Sequence, residues 1–291
     1  MCDELTVKDN ENARRSGALS RRGFTTMAGG VGLAAVLPRA ANAVDVTESD
    51  VTIDTADGTA DCYFVHPVEG AHAGVIVWPD IMGLRPAYRT MGKRLAEAGY
   101  SVLVVNPFYR NAVAPVIAEG ESFQDPETRE RLIPMAQALT PEANVTDATA
   151  FVGFLDAQPA VDTNRKIGTT GYCMGGPITM RVAAALPERI GAGGSFHGGG
   201  IATDQPNSPH LLVPQMDASF LFAIAENDDE RDPESKNRLR EAFDAAGLDA
   251  EIEVYEGAMH GWCALDSAVY NEEQAERAWA RLLVLFEHAL A

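Results

Sequence analysis

Basic residues are scarce in this chain. Lysine and arginine number 23 against 42 aspartates and glutamates, for a formal net charge of −19 and a pI near 4.6. No basic stripe is available to neutralise phosphates, so no nucleic acid partner is expected. The acidity implies solubility and a mild repulsion of anionic substrates. Long apolar runs are also lacking. None approaches the ~20 residues of a spanning helix, so the mature chain is expected to hold no integral membrane segment. Cysteine is rare, four in 291 residues. Its spacing to histidine matches no zinc site, so no metal and no cofactor is expected. Repeats, low-complexity blocks and interdomain linkers are missing too. With 46% hydrophobic residues, the chain can bury one large core.

What is present begins with a targeting pattern. Residues 1–43 contain Ser20, the paired Arg21 and Arg22, and Phe24. A short, weakly apolar run follows from Met27 to Leu37, then Ala41-Asn42-Ala43, a small-x-small cleavage site. The order resembles a twin-arginine export signal, with two threonines where the pattern usually continues differently. The expected layout is a cleaved signal at 1–43 and a catalytic domain at 44–291, exported to the periplasm or outside the cell. The domain would keep 17 basic and 38 acidic residues and three cysteines, Cys62, Cys173 and Cys263. An odd number leaves at least one thiol unpaired within the chain; pairing of Cys62 with Cys263 stays open.

The rest alternates short apolar runs with helical patterns. A hairpin is expected around Asp57-Gly58, buried strands at 73–80, 101–108, 166–172 and 219–228, and helices at 86–100, 141–159, 233–248 and 271–290. Runs of this kind, apolar on both faces, imply a mostly parallel central sheet with helices on both sides, the α/β class.

The chemistry centres on Gly171-Tyr172-Cys173-Met174-Gly175. The pattern follows a strand and precedes a helix, which is the setting of a nucleophile elbow. A sharp turn there strains the nucleophile's backbone, and Gly171 and Gly175 remove side chains that would collide. The helix N-terminus favours a thiolate at Cys173. A plain buried cysteine in a turn is the alternative. In such a turn the chain order is nucleophile, acid, histidine. His260, in "GAMHGW" after the last strand, is expected as the base. His197, in "SFHGGG", is expected to line the pocket. His210 has no supporting context, and His288 lies deep in the last helix. The acid falls in "AENDDERDP", with Asp228 at the expected spacing past the strand and Asp229 the close alternative.

These segments, with "PDIMGL" and "NPFYR" upstream, resemble the dienelactone hydrolase family of the α/β-hydrolase fold over about residues 50–290. The resemblance implies a Cys173-Asp228-His260 triad. It implies an oxyanion hole built from the backbone N–H groups of Ile81 and Met174, and a thiol-contacting acid at Asp80, where the family usually has glutamate. It also implies a substrate-binding role for Arg129. A second arginine four residues after the histidine is replaced here by Ala264, and Trp262 stands where the family has a smaller aromatic. The implied activity is hydrolysis of a small ester or lactone, of the carboxymethylenebutenolide kind, through a thioester intermediate. The alternatives are hydrolysis of another acyl substrate, such as a thioester or peptide, and a non-catalytic exported binding protein on the same fold.

Overall fold

The computed structural model describes residues 4–15 and 43–291. The twin-arginine pair, the apolar run and most of the cleavage motif lie outside these residues. Helix α1, Glu4–Arg15, precedes them; a folded element in this segment was not expected from the sequence.

Strands β1 (Val46–Thr55) and β2 (Gly58–Pro67) form the antiparallel hairpin read from Asp57-Gly58. Then follow β3 (Gly74–Trp78), α2 (Pro86–Glu97), β4 (Ser101–Val105), α3 (Pro126–Gln137) and α4 (Pro141–Asp156). The chain continues with β5 (Ile167–Tyr172), α5 (Gly175–Ala185), β6 (Ile190–Phe196), a 3₁₀ turn at Pro209–Gln215, β7 (Ser219–Ala225) and α6 (Glu226–Arg231). It ends with α7 (Ser235–Ala246), β8 (Ala250–Tyr255) and α8 (Glu272–Ala289).

The eight strands form one sheet in the order β1-β2-β4-β3-β5-β6-β7-β8. β2 meets β4 antiparallel, and every pairing from β4 to β8 is parallel. This is the mostly parallel, helix-flanked sheet of the α/β-hydrolase fold. The inner strands are buried along their whole length, because crossover helices cover both faces. Alternation still sorts their side chains. Val75 and Val77 of β3 join Leu95 of α2 and Leu282 and Phe286 of α8 in one core. Ile76 and Trp78 point the other way, into a second core with Phe151 of α4 and Phe243 of α7. Cys62 belongs to the second core and Cys263 to the first, and both are free thiols. The pairing left open by the sequence is therefore not made.

Two helices fall where the sequence reading had none. α3 carries Pro134 within it and buries only Thr128 and Leu132, so its apolar stripe is too weak to read. α6 occupies the acidic run taken for a loop. Its first turn holds Glu226, Asp228 and Asp229, a placement the helix dipole favours.

Candidate active site

The site lies at the carboxyl ends of the parallel strands, where open α/β sheets bind ligands. Cys173 follows β5 directly, with φ of 53°. A left-handed cysteine is strained by about 1–2 kcal/mol and persists only where its surroundings hold it. The glycines supply that room. A Cβ on Gly171 would come within 2.1 Å of the Gly175 carbonyl oxygen, and one on Gly175 within 2.4 Å of the Trp78 carbonyl oxygen. The second approach brings the start of α5 against the exit of β3, the loop that carries Ile81. The two amides expected to bind an oxyanion, those of Ile81 and Met174, thus come from segments in direct backbone contact. Cys173 is 1% exposed.

His260 stands on the loop after β8. Its Nδ1 is 2.6 Å from Oδ2 of Asp228, in the first turn of α6. Its backbone N–H donates to Oδ1 of Asn227 at 2.9 Å, which ties the loop to the same turn. Asp229 points elsewhere: both its oxygens accept from Lys236 Nζ. Burial opposes charge on the His260 ring. The Asp228 carboxylate, followed by the Cys173 sulfur, more than offsets this and pushes its pKa up to about 10. The arrangement can hold a thiolate–imidazolium pair at neutral pH. The other thiols contrast with it. Burial pushes Cys62 up to about 12 and raises Cys263 well above the ordinary value, so both stay protonated and inert.

Asp80 has partners that the sequence did not reveal. Arg85, 2% exposed, donates from Nη1 and Nη2 to Oδ1 and Oδ2 of Asp80 at 2.7 and 2.9 Å. The same guanidinium donates from Nε and Nη2 to Asp266 at 2.7 and 2.9 Å. Oδ1 of Asp80 also accepts from the Met82 N–H. Burial opposes the Arg85 charge, yet the two carboxylates hold it firmly cationic. Asp80 therefore anchors the Ile81 loop, and its two oxygens carry charge-assisted bonds to Arg85 whatever else they meet.

Arg129, in α3, donates to the backbone carbonyls of Phe123 and Gln124 in the preceding loop. Ala264 is 1% exposed. His197, at the end of β6, is buried and packs edge-on against His260 and against Trp262, with ring centroids 4.9 and 5.2 Å away. Trp262 is itself fully buried and stacks on Tyr255. His210 bonds Ser208 Oγ in the 3₁₀ region, and His288 is exposed on α8.

Helix α1 reaches this site. Asn10 Nδ2 donates to the His260 carbonyl at 3.0 Å, and Arg231 of α6 donates to Thr6 Oγ1 and to Asp9 Oδ2 at 3.1 and 2.8 Å. No sequence signal pointed to these contacts. Among the described residues, no cluster of three or more His, Cys, Asp or Glu could hold a metal ion, and no helix is long and apolar enough to cross a membrane.

The sequence profile of the dienelactone hydrolase family matches residues 60–290. The chain belongs to the dienelactone hydrolase family. A Methylorubrum extorquens protein provisionally named as a carboxymethylenebutenolidase is 28% identical over 277 residues, covering 91% of each chain. The carboxymethylenebutenolidase of Pseudomonas putida is 25% identical, covering 80% of this chain and 93% of its own. A solved dienelactone hydrolase-like promiscuous phosphotriesterase from metagenomic libraries has a TM-score of 0.71 at 20% identity, covering 84% of this chain and 99% of that one, which speaks for the shared fold. The family is one of hydrolases, and in this chain the Cys173 turn and the His260–Asp228 pair adjoin one another at the carboxyl ends of the strands.

Proposed function

We propose that the protein hydrolyses a small ester or lactone, the substrate class to which the names of its relatives point, with Cys173 as nucleophile. The observation that carries this reading is the left-handed Cys173 on a strand-to-helix turn, beside a histidine whose Nδ1 sits 2.6 Å from Asp228. The Cys173 thiolate attacks the carbonyl carbon, forming a C–S bond. The oxyanion takes up hydrogen bonds from the N–H groups of Ile81 and Met174. As the tetrahedral species collapses, the C–O bond breaks, and protonated His260 gives its proton to the leaving oxygen. A thioester remains. His260, oriented by Asp228, then takes a proton from water as the water oxygen attacks the thioester carbonyl. The electron pair of the breaking C–S bond returns to sulfur.

A carboxylate-bearing substrate would look for cations. Arg129 is bonded to its own loop, and Arg85 is shared by two carboxylates. Neutral esters and lactones therefore fit the described residues better than dienelactone itself. His197 and Trp262 would line the pocket in either case.

Export is part of the proposal. Residues 1–43 would direct the folded chain through a twin-arginine route and be removed after Ala43, leaving 44–291 in the periplasm or outside the cell. Support comes from the motif and from the sheet, which starts only at Val46.

One experiment addresses the chemistry. The wild type and Cys173→Ala would be assayed on dienelactone and on a p-nitrophenyl ester, with mass spectrometry of the quenched ester reaction. The expected result is a wild-type adduct on the peptide carrying Cys173 and no turnover by the variant. Equal rates for the two proteins would sink the nucleophile, and turnover of the ester alone would restrict the substrate class. N-terminal sequencing of the exported protein tests cleavage: a start at Met1 would contradict it.

A further inference from the structure

His197 is left without a task by the reaction as written. It is 1% exposed, and neither Nδ1 nor Nε2 has a well-formed hydrogen bond. A buried imidazole with neither nitrogen in a well-formed hydrogen bond is a costly way to fill space, since a phenylalanine would fill it without under-satisfied polar atoms. Its backbone is also unusual. His197 and Cys173 are the two non-glycine residues with positive φ among the described residues, at 41° and 53°. They are register neighbours. β5 and β6 run parallel with Tyr172 opposite Phe196, so Cys173 and His197 leave the sheet side by side as the next pair. The Cys173 N–H donates to the Phe196 carbonyl and the His197 N–H to the Ala223 carbonyl, fixing both departures.

We propose that His197 is a second imidazole serving the Cys173 sulfur, whose ring N–H donates to the thiolate in the resting enzyme and to the departing thiolate during deacylation. The inference rests on the reading of Cys173 as nucleophile. Burial lowers the pKa of His197, the Cys173 sulfur beside it opposes this, and charge on His260 lowers it further. The ring is thereby neutral, with one N–H to give. His260 and His197 then divide the work. His260, cationic and fixed by Asp228, carries the mobile proton. His197 keeps its own proton and supplies a dipole at sulfur. Catalytic hydrogen bonds are often loosely aligned before substrate binds, which accounts for a close but imperfect contact. In deacylation, water's oxygen bonds to the carbonyl carbon, His260 takes the proton, and the electron pair of the C–S bond goes to sulfur, where the His197 N–H meets it. No other co-reactant is needed.

The test is the pH dependence of Cys173 alkylation by iodoacetamide, followed by mass spectrometry, in the wild type, His197→Phe and His197→Gln. Loss of one hydrogen bond to a charged acceptor is worth about one pKa unit, so His197→Phe should need roughly tenfold more hydroxide for the same reactivity. Its kcat on a p-nitrophenyl ester should fall by about the same factor with KM little changed, and His197→Gln, which restores an N–H, should recover part of both. Superimposable alkylation profiles with a change in KM alone would reduce His197 to a lining residue and overturn the proposal. If His197→Phe does not fold, ¹⁵N NMR of the wild type decides. The His197 ring nitrogens should shift when Cys173 is alkylated, and unshifted resonances overturn the proposal. A wild-type Cys173 that neither alkylates nor forms an adduct with ester would instead refute the nucleophile itself.

Discussion

Two neighbouring turns at the carboxyl ends of β5 and β6 are built alike and read very differently. Each puts one non-glycine residue into the left-handed region, Cys173 in one and His197 in the other. Each turn has a glycine close behind that residue, Gly176 three positions after Cys173 and Gly198 directly after His197, and those glycines meet: a Cβ on Gly176 would lie 2.6 Å from the Gly198 Cα, and one on Gly198 would lie 2.3 Å from Ser195 Oγ. The two strained turns brace each other. Around the thiol stand two imidazoles in opposite states, His197 on its turn and His260 on the loop after β8, because only His260 has a carboxylate bonded to a ring nitrogen. The acid, not the ring, decides which histidine carries the charge.

The largest effect should come from removing that asymmetry. Asp228→Asn leaves a hydrogen-bonding group but no charge beside His260 Nδ1. By analogy with triads in which the acid only orients and stabilises the histidine, kcat should fall by about 10²–10⁴. The pH profile tells the cause. The raised pKa of His260, about 10, places the alkaline limb of wild-type activity near that pH, since the imidazolium is lost as pH rises through it. Without the carboxylate the limb should move toward acid. The same sign holds for stability. His260 titrates near 6.5 in an unfolded chain, so its pairing contributes fully below that pH and disappears as pH rises through about 10. An alkaline limb that does not move in Asp228→Asn would break the distinction between the two rings.

Next comes the brace. Gly176→Ala drives a methyl into Gly198 Cα and Ser195 Oγ, both at 2.6 Å. One contact is backbone and cannot swing away, so overpacking should cost about 1–3 kcal/mol in urea unfolding. Activity should drop with it, as both turns move. A variant as stable and active as wild type would mean that the turns are independent.

Relief of strain should act in the opposite direction and be smaller. Cys173→Gly abolishes turnover but removes the Cβ that disfavours positive φ, and it should stabilise by up to about 1 kcal/mol, less whatever packing the thiol supplied. His197→Gly loses far more packing, because the ring fills space between His260 and Trp262, and should destabilise. Opposite signs of the two changes in thermal unfolding would show that like backbones carry unlike side-chain duties.

Much of one turn and little of the other could be read in the sequence. Gly171-x-Cys173-x-Gly175 announces itself because two glycines flank the strained residue at fixed spacing, in a strand-to-helix setting. Three glycines after His197 signal only an open loop. The glycine after it packs against Gly176, more than twenty positions earlier, and no local pattern encodes that approach. The sheet was legible for a similar reason: apolar runs such as "GVIVW" stay apolar whichever face they meet. Asp228 and Asp229 could not be separated, since the choice depends on the direction each takes from the first turn of α6, where one meets His260 and the other Lys236. Nothing in the sequence singled out Arg85. Its bonds to Asp80 and Asp266 join positions 181 residues apart in the second case, and such pairing is a property of the fold.

The smallest effect should come from the side of the site away from the turns. In the uncleaved chain Arg231 holds Thr6 and Asp9 of α1, and it lies 3.8 Å from Asp228. Arg231 and Asp9 are partly exposed, so water screens their pair, and Arg231→Gln should change stability by less than about 1 kcal/mol. Its position nevertheless bears on the acid. Losing a cation near Asp228 leaves its negative charge less compensated, so its pull on His260 should strengthen slightly and the alkaline limb should move, if at all, upward. That sign is opposite to Asp228→Asn. A downward shift in Arg231→Gln would show that Arg231 holds Asp228 in place against His260 and that its charge matters less than its grip, making α6 a positioned element as dependent on its neighbours as the two turns are on each other.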